Sequence, residues 1–277
     1  MTAVVAAPHE LLDLAVRAGR AAAALVRERA AAEVTVAATK SSDVDVVTQA
    51  DRDSEALIRT TILTERPDDA VLGEEGGLSN DATGAGTGVR WIVDPIDGTV
   101  NFLYGLPEYA ISIAAEVDGR VVAGVVINVA TGVEYTAHRT AEGIEARKDG
   151  RPVGVRGPAP LAQRLVITGF SYDADMRQRQ ARGLVELLPQ VRDIRRHGSC
   201  ALELCHLADG QADAYFELGV NVWDYAAGAL VAEGAGARVE VLPGMAGRPL
   251  VVAAPEHGFE EFRRAVLGAG YGDSPDR

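Results

Sequence analysis

The segment of residues 91–102, WIVDPIDGTVNF, constrains the fold of this chain more than any other segment. Its first three residues are apolar and suit a buried strand, and this strand runs directly into Asp94 and Asp97. Pro95 and Gly98 interrupt strands, so the two carboxylates are expected at a strand end, beside a tight turn. Carboxylate oxygens are the hard ligands that Mg²⁺ prefers. The segment therefore indicates a site at the end of a buried strand.

The turn that follows the acidic pair suits an anion. Gly98 allows the backbone to approach an anion closely, and Thr99 offers a hydroxyl beside it. A simpler interpretation is a loop in which the aspartates only cap a turn, and a single Asp-x-x-Asp motif is compatible with it. The rest of the chain has to decide between the two interpretations.

Composition narrows the class of protein. The chain has 277 residues, of which 47% are hydrophobic and 24% charged, and this predicts a globular protein with a large core. Its formal charge of −13 argues against nucleic acid or an anionic membrane surface as a partner. Bound metal ions can invert the local field, so a phosphate ligand remains compatible with this charge.

Targeting signals and cysteines point to the cytoplasm. The first eight residues lack the basic segment of a signal peptide, and no apolar run reaches the ~18 residues of a membrane span. Cys200 and Cys205 are the only cysteines, and their spacing beside His206 fits no zinc motif. We expect a cytoplasmic protein with two buried thiols.

The first 150 residues predict helices packed on a largely antiparallel sheet. Helical periodicity covers residues 10–32, and a second helix begins near Asp51 or Asp53 and ends before Pro67. Asp51 is either the N-terminal cap of this helix or part of the site. A short strand at residues 71–72 runs into the sequence GEEGG. Like the Asp94 segment, it places two carboxylates at a strand end, followed by glycine.

Four further apolar runs extend the antiparallel pattern, at residues 110–117, 121–129, 133–138 and 143–147. Asp118-Gly119 separates the first two runs, and this dipeptide predicts a tight hairpin.

A second half is predicted after a junction at residues 151–160, which contains three prolines and two glycines. Beyond it, strands and helices alternate as in an α/β layer. The predicted strands are residues 164–168, 212–216, 238–241 and 250–253, and the predicted helices are residues 177–188, 199–208, 224–234 and 260–267. We therefore divide the chain into an α+β half, residues 1–150, and an α/β half, residues 151–277.

Four ordered segments resemble the inositol monophosphatase family: residues 45–55 (DVVTQADRDSE), 73–75 (GEE), 94–102 (DPIDGTVNF) and 223–228 (WDYAAG). Their order and separations favour a site over a capped turn. The resemblance implies an α+β fold with five layers, αβαβα, and Mg²⁺-dependent phosphatase activity on sugar or polyol phosphates. It also implies a homodimer, with inhibition by Li⁺ in many members.

The resemblance further implies the metal ligands. Glu74, Asp94 and the backbone carbonyl of Ile96 match the ligands of a first ion. Asp94, Asp97 and Asp224 match those of a second. Asp51 and Glu74 match a third, weaker site, and Thr99 matches the residue that orients the attacking water together with these two acids.

The substrate contacts follow from the same match. Backbone N–H groups of Gly98 and Thr99 would bind the phosphate. Glu217 and the backbone of Gly198, Ser199 and Cys200 would contact the sugar hydroxyls. Asp97 and Asp224 border the substrate as well, and Lys40 matches a position on a lid.

The expected reaction is in-line attack of a metal-activated water on a myo-inositol monophosphate. No side-chain nucleophile is required, and residues 169–173, GFSYD, lack the second glycine of a nucleophile elbow. Histidinol phosphate and fructose 1,6-bisphosphate remain alternative substrates. A regulatory binding protein that retains the fold remains an alternative of another class.

Overall fold

The structure is a computed structural model that describes residues 6–31, 36–39, 46–79 and 87–273. Lys40, which the resemblance places on a lid, lies outside the described residues, and so does Asp45 of the first family segment. In the described part of the chain, no helix is both long and apolar enough to cross a membrane.

The α-helices of the described residues number seven. They are α1 (Pro8–Ala30), α2 (Gln49–Glu65), α3 (Thr99–Tyr104), α4 (Ala174–Leu187), α5 (Cys200–Ala208), α6 (Val222–Gly234) and α7 (Phe259–Val266). The long helix predicted at residues 10–32 is confirmed as α1. It begins two residues earlier because Pro8 suits the first turn, where its missing N–H costs nothing.

The start of α2 differs from the prediction. Thr48 is the N-cap, and its hydroxyl accepts a hydrogen bond from the backbone N–H of Asp51. The carboxylate of Asp51 in turn accepts from the N–H of Thr48 at 2.8 Å, which completes a capping box. The alternative that Asp51 itself is the N-cap is therefore wrong, because it stands three residues inside the helix.

Two strands, β1 (Val36–Thr39) and β2 (Val46–Thr48), form a small antiparallel sheet. The strands of the large sheet are β3 (Ala70–Gly73), β4 (Gly77–Ser79), β5 (Val89–Asp97), β6 (Ala110–Val117), β7 (Arg120–Asn128), β8 (Glu134–Arg139), β9 (Ile144–Lys148) and β10 (Arg151–Pro152). Their order is β10-β9-β8-β7-β6-β5-β3-β4, and the pairings are antiparallel except for β3 with β5. The largely antiparallel first half is thereby confirmed.

The hairpin between β6 and β7 shows how a dipeptide determines local structure. Asp118 and Gly119 have φ angles of 51° and 77°, so both central residues of the turn are left-handed. Such a turn matches the natural twist of the two strands, as the Asp-Gly sequence predicts.

The second sheet contains β11 (Leu165–Thr168), β12 (Asp193–Arg195), β13 (Ala214–Leu218), β14 (Ala237–Pro243) and β15 (Pro249–Pro255). Its order is β12-β11-β13-β15-β14, with parallel pairs at β11 and antiparallel pairs at β15. The alternation of strands and helices is as predicted, but β12 was not anticipated, because its sequence, DIR, is short and mostly polar.

The elements stack in five layers. Helices α1 and α2 cover one face of the large sheet, and α5 and α6 lie between the two sheets. Helices α4 and α7 cover the outer face of the second sheet. The αβαβα fold is confirmed. The middle helices, α5 and α6, pack against residues of both sheets in one core. The boundary near residue 150 stays a prediction.

Candidate active site

A cavity of about 890 Å³ opens where the two halves meet. Ten of the predicted site residues line it: Glu74, Asp94, Ile96, Asp97, Gly98, Thr99, Gly198, Cys200, Glu217 and Asp224. Asp51 and Ser199 do not line the cavity. Both are buried, Asp51 in hydrogen-bond contact with Thr99 and Ser199 with Asp97, which do line it. The tertiary structure thus brings segments more than a hundred residues apart into one cleft.

The end of β5 forms the inner wall. The pairing of β5 with β6 shifts register between Asp94 and Asp97, so the strand bulges at the acidic pair. The N–H of Ile96 donates to the carboxylate of Asp94 at 3.0 Å, and the hydroxyl of Ser54 donates to the carbonyl of Pro95 at 3.0 Å. These bonds hold the turn open toward the cavity.

Gly98 is required at this turn. Its φ angle is 93°, which favours glycine, and an added Cβ would stand 2.8 Å from the carbonyl oxygen of Glu108. The same Cβ would be 3.1 Å from the carbonyl oxygen of Gly198. The turn at Gly98 and the loop at Gly198 therefore leave no room for a side chain between them.

Thr99 connects the cavity to Asp51. Its hydroxyl lies 3.1 Å from a carboxylate oxygen of Asp51 and 3.0 Å from the carbonyl of Ile96, and its single proton can serve one of them at a time. Burial raises the pKa of Asp51, against the hydrogen bonds from Thr48 and Thr99.

Asp97 is held by the start of α5. The hydroxyl of Ser199 and the N–H of Ala201 both donate to the same carboxylate oxygen, each at 2.7 Å. Burial nevertheless raises the pKa of Asp97 to about 6. At Asp224, burial and the charges of Asp97 and Glu74 raise the pKa well above its ordinary value.

These shifts bear on whether a metal ion fits. The charges of Asp97, Glu74 and Glu217 disfavour the charge of Asp224, and a divalent cation would relieve this repulsion. Among the described residues, however, no three side chains of His, Cys, Asp or Glu converge closely enough to hold one ion as they stand. The fit to Mg²⁺ rests on the chemistry of the donors, because the carboxylate oxygens that line the cavity are the hard ligands that this ion prefers.

The loop that carries Glu74 is fixed by Glu55, which was not predicted as a site residue. The carboxylate of Glu55 accepts from the N–H of Glu75 at 2.8 Å and from the N–H of Gly76 at 2.9 Å. Glu55 closes the first family segment, and its position there is the signal that could have identified it.

The loop at His197 and Gly198 is held by two side chains that sequence reasoning also missed. Glu203 is fully buried and accepts from the N–H groups of His197 and Gly198 at 2.9 and 3.0 Å. The side chain of Asn101 donates to the carbonyl of His197 at 2.7 Å. Because the N–H of Gly198 is used by Glu203, this N–H is not free for a sugar hydroxyl.

Three arginines also line the cavity without having been predicted: Arg177, Arg196 and Arg248. Arg177 donates to the carbonyl of Ser171 at 3.0 Å, and Arg248 donates to its hydroxyl at 3.1 Å. Arginine positions of this kind have no local sequence signature.

Cys200 and Cys205 are both free and buried, as expected.

Comparison with known proteins gives a consistent result. The model of the inositol monophosphatase family matches residues 7–261. Inositol-1-monophosphatase SuhB of Mycobacterium tuberculosis is 44% identical over 275 residues, covering 94% of each chain. The solved structure of M. tuberculosis SuhB aligns with a TM-score of 0.78 and 39% identity, and the match covers 96% of this chain and 98% of that one.

Two further relatives extend the comparison. Extragenic suppressor protein suhB of Bartonella henselae aligns with a TM-score of 0.82 and 31% identity, over 93% of this chain and 98% of that one. Nus factor SuhB of Vibrio cholerae is 34% identical over 232 residues, covering 83% of this chain and 85% of its own. On the family match and these identities, this chain belongs to the inositol monophosphatase family.

Proposed function

We propose that this protein is a Mg²⁺-dependent phosphate monoester hydrolase that acts on myo-inositol monophosphate. The observation that carries the proposal is a single cavity lined by five acidic side chains. Glu74, Asp94, Asp97 and Asp224 line it together with Glu217 on the second sheet. Relatives with the name inositol-1-monophosphatase support the same substrate.

Glu74, Asp94, Asp97, Asp224, Asp51 and the carbonyl of Ile96 would hold the metal. When bound, Mg²⁺ supplies charge neutralisation and a more acidic water. The chain's own residues orient that water: when Thr99 donates its proton to Asp51, its oxygen is available to accept one from the water. The backbone N–H groups of Gly98 and Thr99 are assigned to the phosphate oxygens.

On the alcohol side, Glu217 is assigned to the hydroxyl groups of the inositol ring. A carboxylate accepts strong hydrogen bonds from vicinal hydroxyls, and the backbone around Ser199 and Cys200 can add weaker contacts. Since the N–H of Gly198 is engaged by Glu203, Gly198 would contact a hydroxyl only through its carbonyl oxygen.

Further expectations accompany the proposal. Li⁺ would inhibit the enzyme, the protein would form a homodimer, and it would work in the cytoplasm without nucleic acid or membrane as a partner. Histidinol phosphate and fructose 1,6-bisphosphate remain alternative substrates. The relative named Nus factor SuhB supports a regulatory binding protein as a second candidate function.

The test is a panel of phosphate esters with and without Mg²⁺. Activity should disappear with a chelator, return with Mg²⁺, and be highest for inositol monophosphate. Ca²⁺ should support little turnover because it prefers longer bonds and higher coordination numbers. Full activity in metal-free buffer would overturn the mechanism, and a preference for histidinol phosphate or fructose 1,6-bisphosphate would overturn the substrate assignment.

A further inference from the structure

The carboxylate of Glu217 is held by buried neighbours, which an exposed substrate-binding carboxylate would not need. It follows Tyr215 by two residues on β13, so both side chains point to the same face of the second sheet. That face packs against the middle helices, where Tyr215 is fully buried. The carboxylate of Glu217 thus stands at the boundary between the core and the cavity.

The hydroxyl of Tyr215 touches two groups. It lies 3.0 Å from Oε2 of Glu217 and 3.0 Å from Sγ of Cys200. A carboxylate is a much stronger acceptor than a thiol, so the phenolic proton goes to Glu217, and the Cys200 thiol can donate to the phenolic oxygen. Burial raises the pKa of Tyr215 well above its usual range, so the phenol keeps its proton.

The carboxylate of Glu217 also packs against Gly169, with both of its oxygens close to that residue. This residue directly follows β11, which pairs in parallel with β13, Thr168 standing beside Phe216. A Cβ at position 169 would lie 2.0 Å from Oε1 of Glu217. The backbone of Gly169 is not left-handed, so glycine is needed here for space and not for conformation.

We propose that Tyr215 and Gly169 form a socket that positions the carboxylate of Glu217 and so determines the preference for polyhydroxylated phosphate esters. Tyr215 aims Oε2 by donating a hydrogen bond, and Gly169 leaves room for the whole carboxylate group. This inference rests on the proposed function, because it assumes that Glu217 binds substrate hydroxyls. Tyr215 acts through Glu217 and is a positioning residue.

The first test compares kcat and KM for myo-inositol 1-phosphate and p-nitrophenyl phosphate at saturating Mg²⁺. Tyr215→Phe removes the donor, and a hydrogen bond to a charged group contributes enough to predict a loss of about tenfold in kcat/KM for the inositol ester. The loss should fall on KM. The aryl ester has no hydroxyl for Glu217 and should change less than about twofold. Equal losses for both substrates would indicate a general structural role and overturn the proposal.

Gly169→Ala provides an independent variant. The added methyl group would displace the Glu217 carboxylate without straining the backbone, so the same selective loss is expected. Tyr271→Phe is the matched control, because Tyr271 is also buried and its hydroxyl donates to the carbonyl of Gln180 at 2.8 Å, and it does not line the cavity. This control should change the two substrates by the same small factor.

The outcomes separate the two claims. A wild-type protein that does not hydrolyse polyol phosphates overturns the proposed function. A wild-type protein that prefers them, with Tyr215→Phe and Gly169→Ala keeping that preference, overturns the socket alone. A crystal structure of Gly169→Ala in which the Glu217 carboxylate has not moved would also overturn the socket, whatever the substrate.

Discussion

Asp97→Asn should stabilise the metal-free protein. The wild-type carboxylate is 8% exposed, and burial disfavours its charge. Both hydrogen bonds from Ser199 and Ala201 go to one oxygen, so the single amide oxygen of asparagine can accept them both. The substitution therefore removes a buried negative charge and keeps its partners.

The pKa of Asp97 determines the magnitude. In the folded protein it is raised from 3.8 to about 6, and each unit corresponds to about 1.4 kcal/mol. Because the folded pKa is the higher one, Asp97 is protonated and does not destabilise the wild type below pH 3.8. Stability is lost as the pH rises through 6, where the buried carboxyl becomes charged. The free energy of unfolding of Asp97→Asn should thus exceed that of the wild type by about 3 kcal/mol at pH 7 and by about half of that at pH 5.

The assay is urea unfolding in the presence of a chelator at both pH values. Asp13→Asn on the exposed face of α1 is the control and should stay within about 0.5 kcal/mol of wild type. Added Mg²⁺ should stabilise the wild type more than the variant, because the ion needs the charge. The reasoning fails if Asp97→Asn is no more stable than wild type at pH 7, or if its gain is independent of pH.

Three further predictions concern other residues of the cleft. Asp224→Asn should lower kcat for aryl and inositol phosphates alike, whereas Glu217→Gln should lower kcat/KM about ten- to a hundredfold for inositol phosphate only; steady-state kinetics that show the same substrate dependence for both variants would contradict the division into a metal side and a sugar side. Glu203→Ala leaves two partly buried N–H groups without their acceptor and should lower the free energy of unfolding by about 2–4 kcal/mol, while Glu203→Gln, which keeps an acceptor oxygen, should lower it less; equal losses in urea unfolding would count against this account. Gly98→Ala meets both an unfavourable φ angle and the Glu108 carbonyl, so it should cost at least about 2 kcal/mol more than Gly105→Ala, which is also left-handed but has open space around it; similar melting temperatures for the two variants would show that the close contact is unimportant.

Local sequence determined much of the architecture. Helical periodicity predicted α1 to within two residues at each end, and Asp118-Gly119 predicted the hairpin between β6 and β7. The acidic segment at Asp94 was correctly placed at a strand end. These features depend on residues that are neighbours along the chain, so propensity, periodicity and turn chemistry are sufficient to predict them.

The supports of the cleft were decided by tertiary structure. The capping box of Thr48 and Asp51 is local, but Asp51 lies buried behind Thr99 because α2 packs on β5. Strand β12 exists because β11 offers it a parallel neighbour, although its own sequence is weak.

The same holds for the positioning of the functional side chains. Gly169 borders Glu217 because β11 and β13 pair, and Asn101 reaches the loop at His197 because the two halves close on the middle helices. Sequence motifs predicted which carboxylates line the cavity, since most of those residues belong to short patterns in the chain. Which groups hold them depends on contacts between residues far apart in the chain, and only the packing of the five layers specifies those contacts.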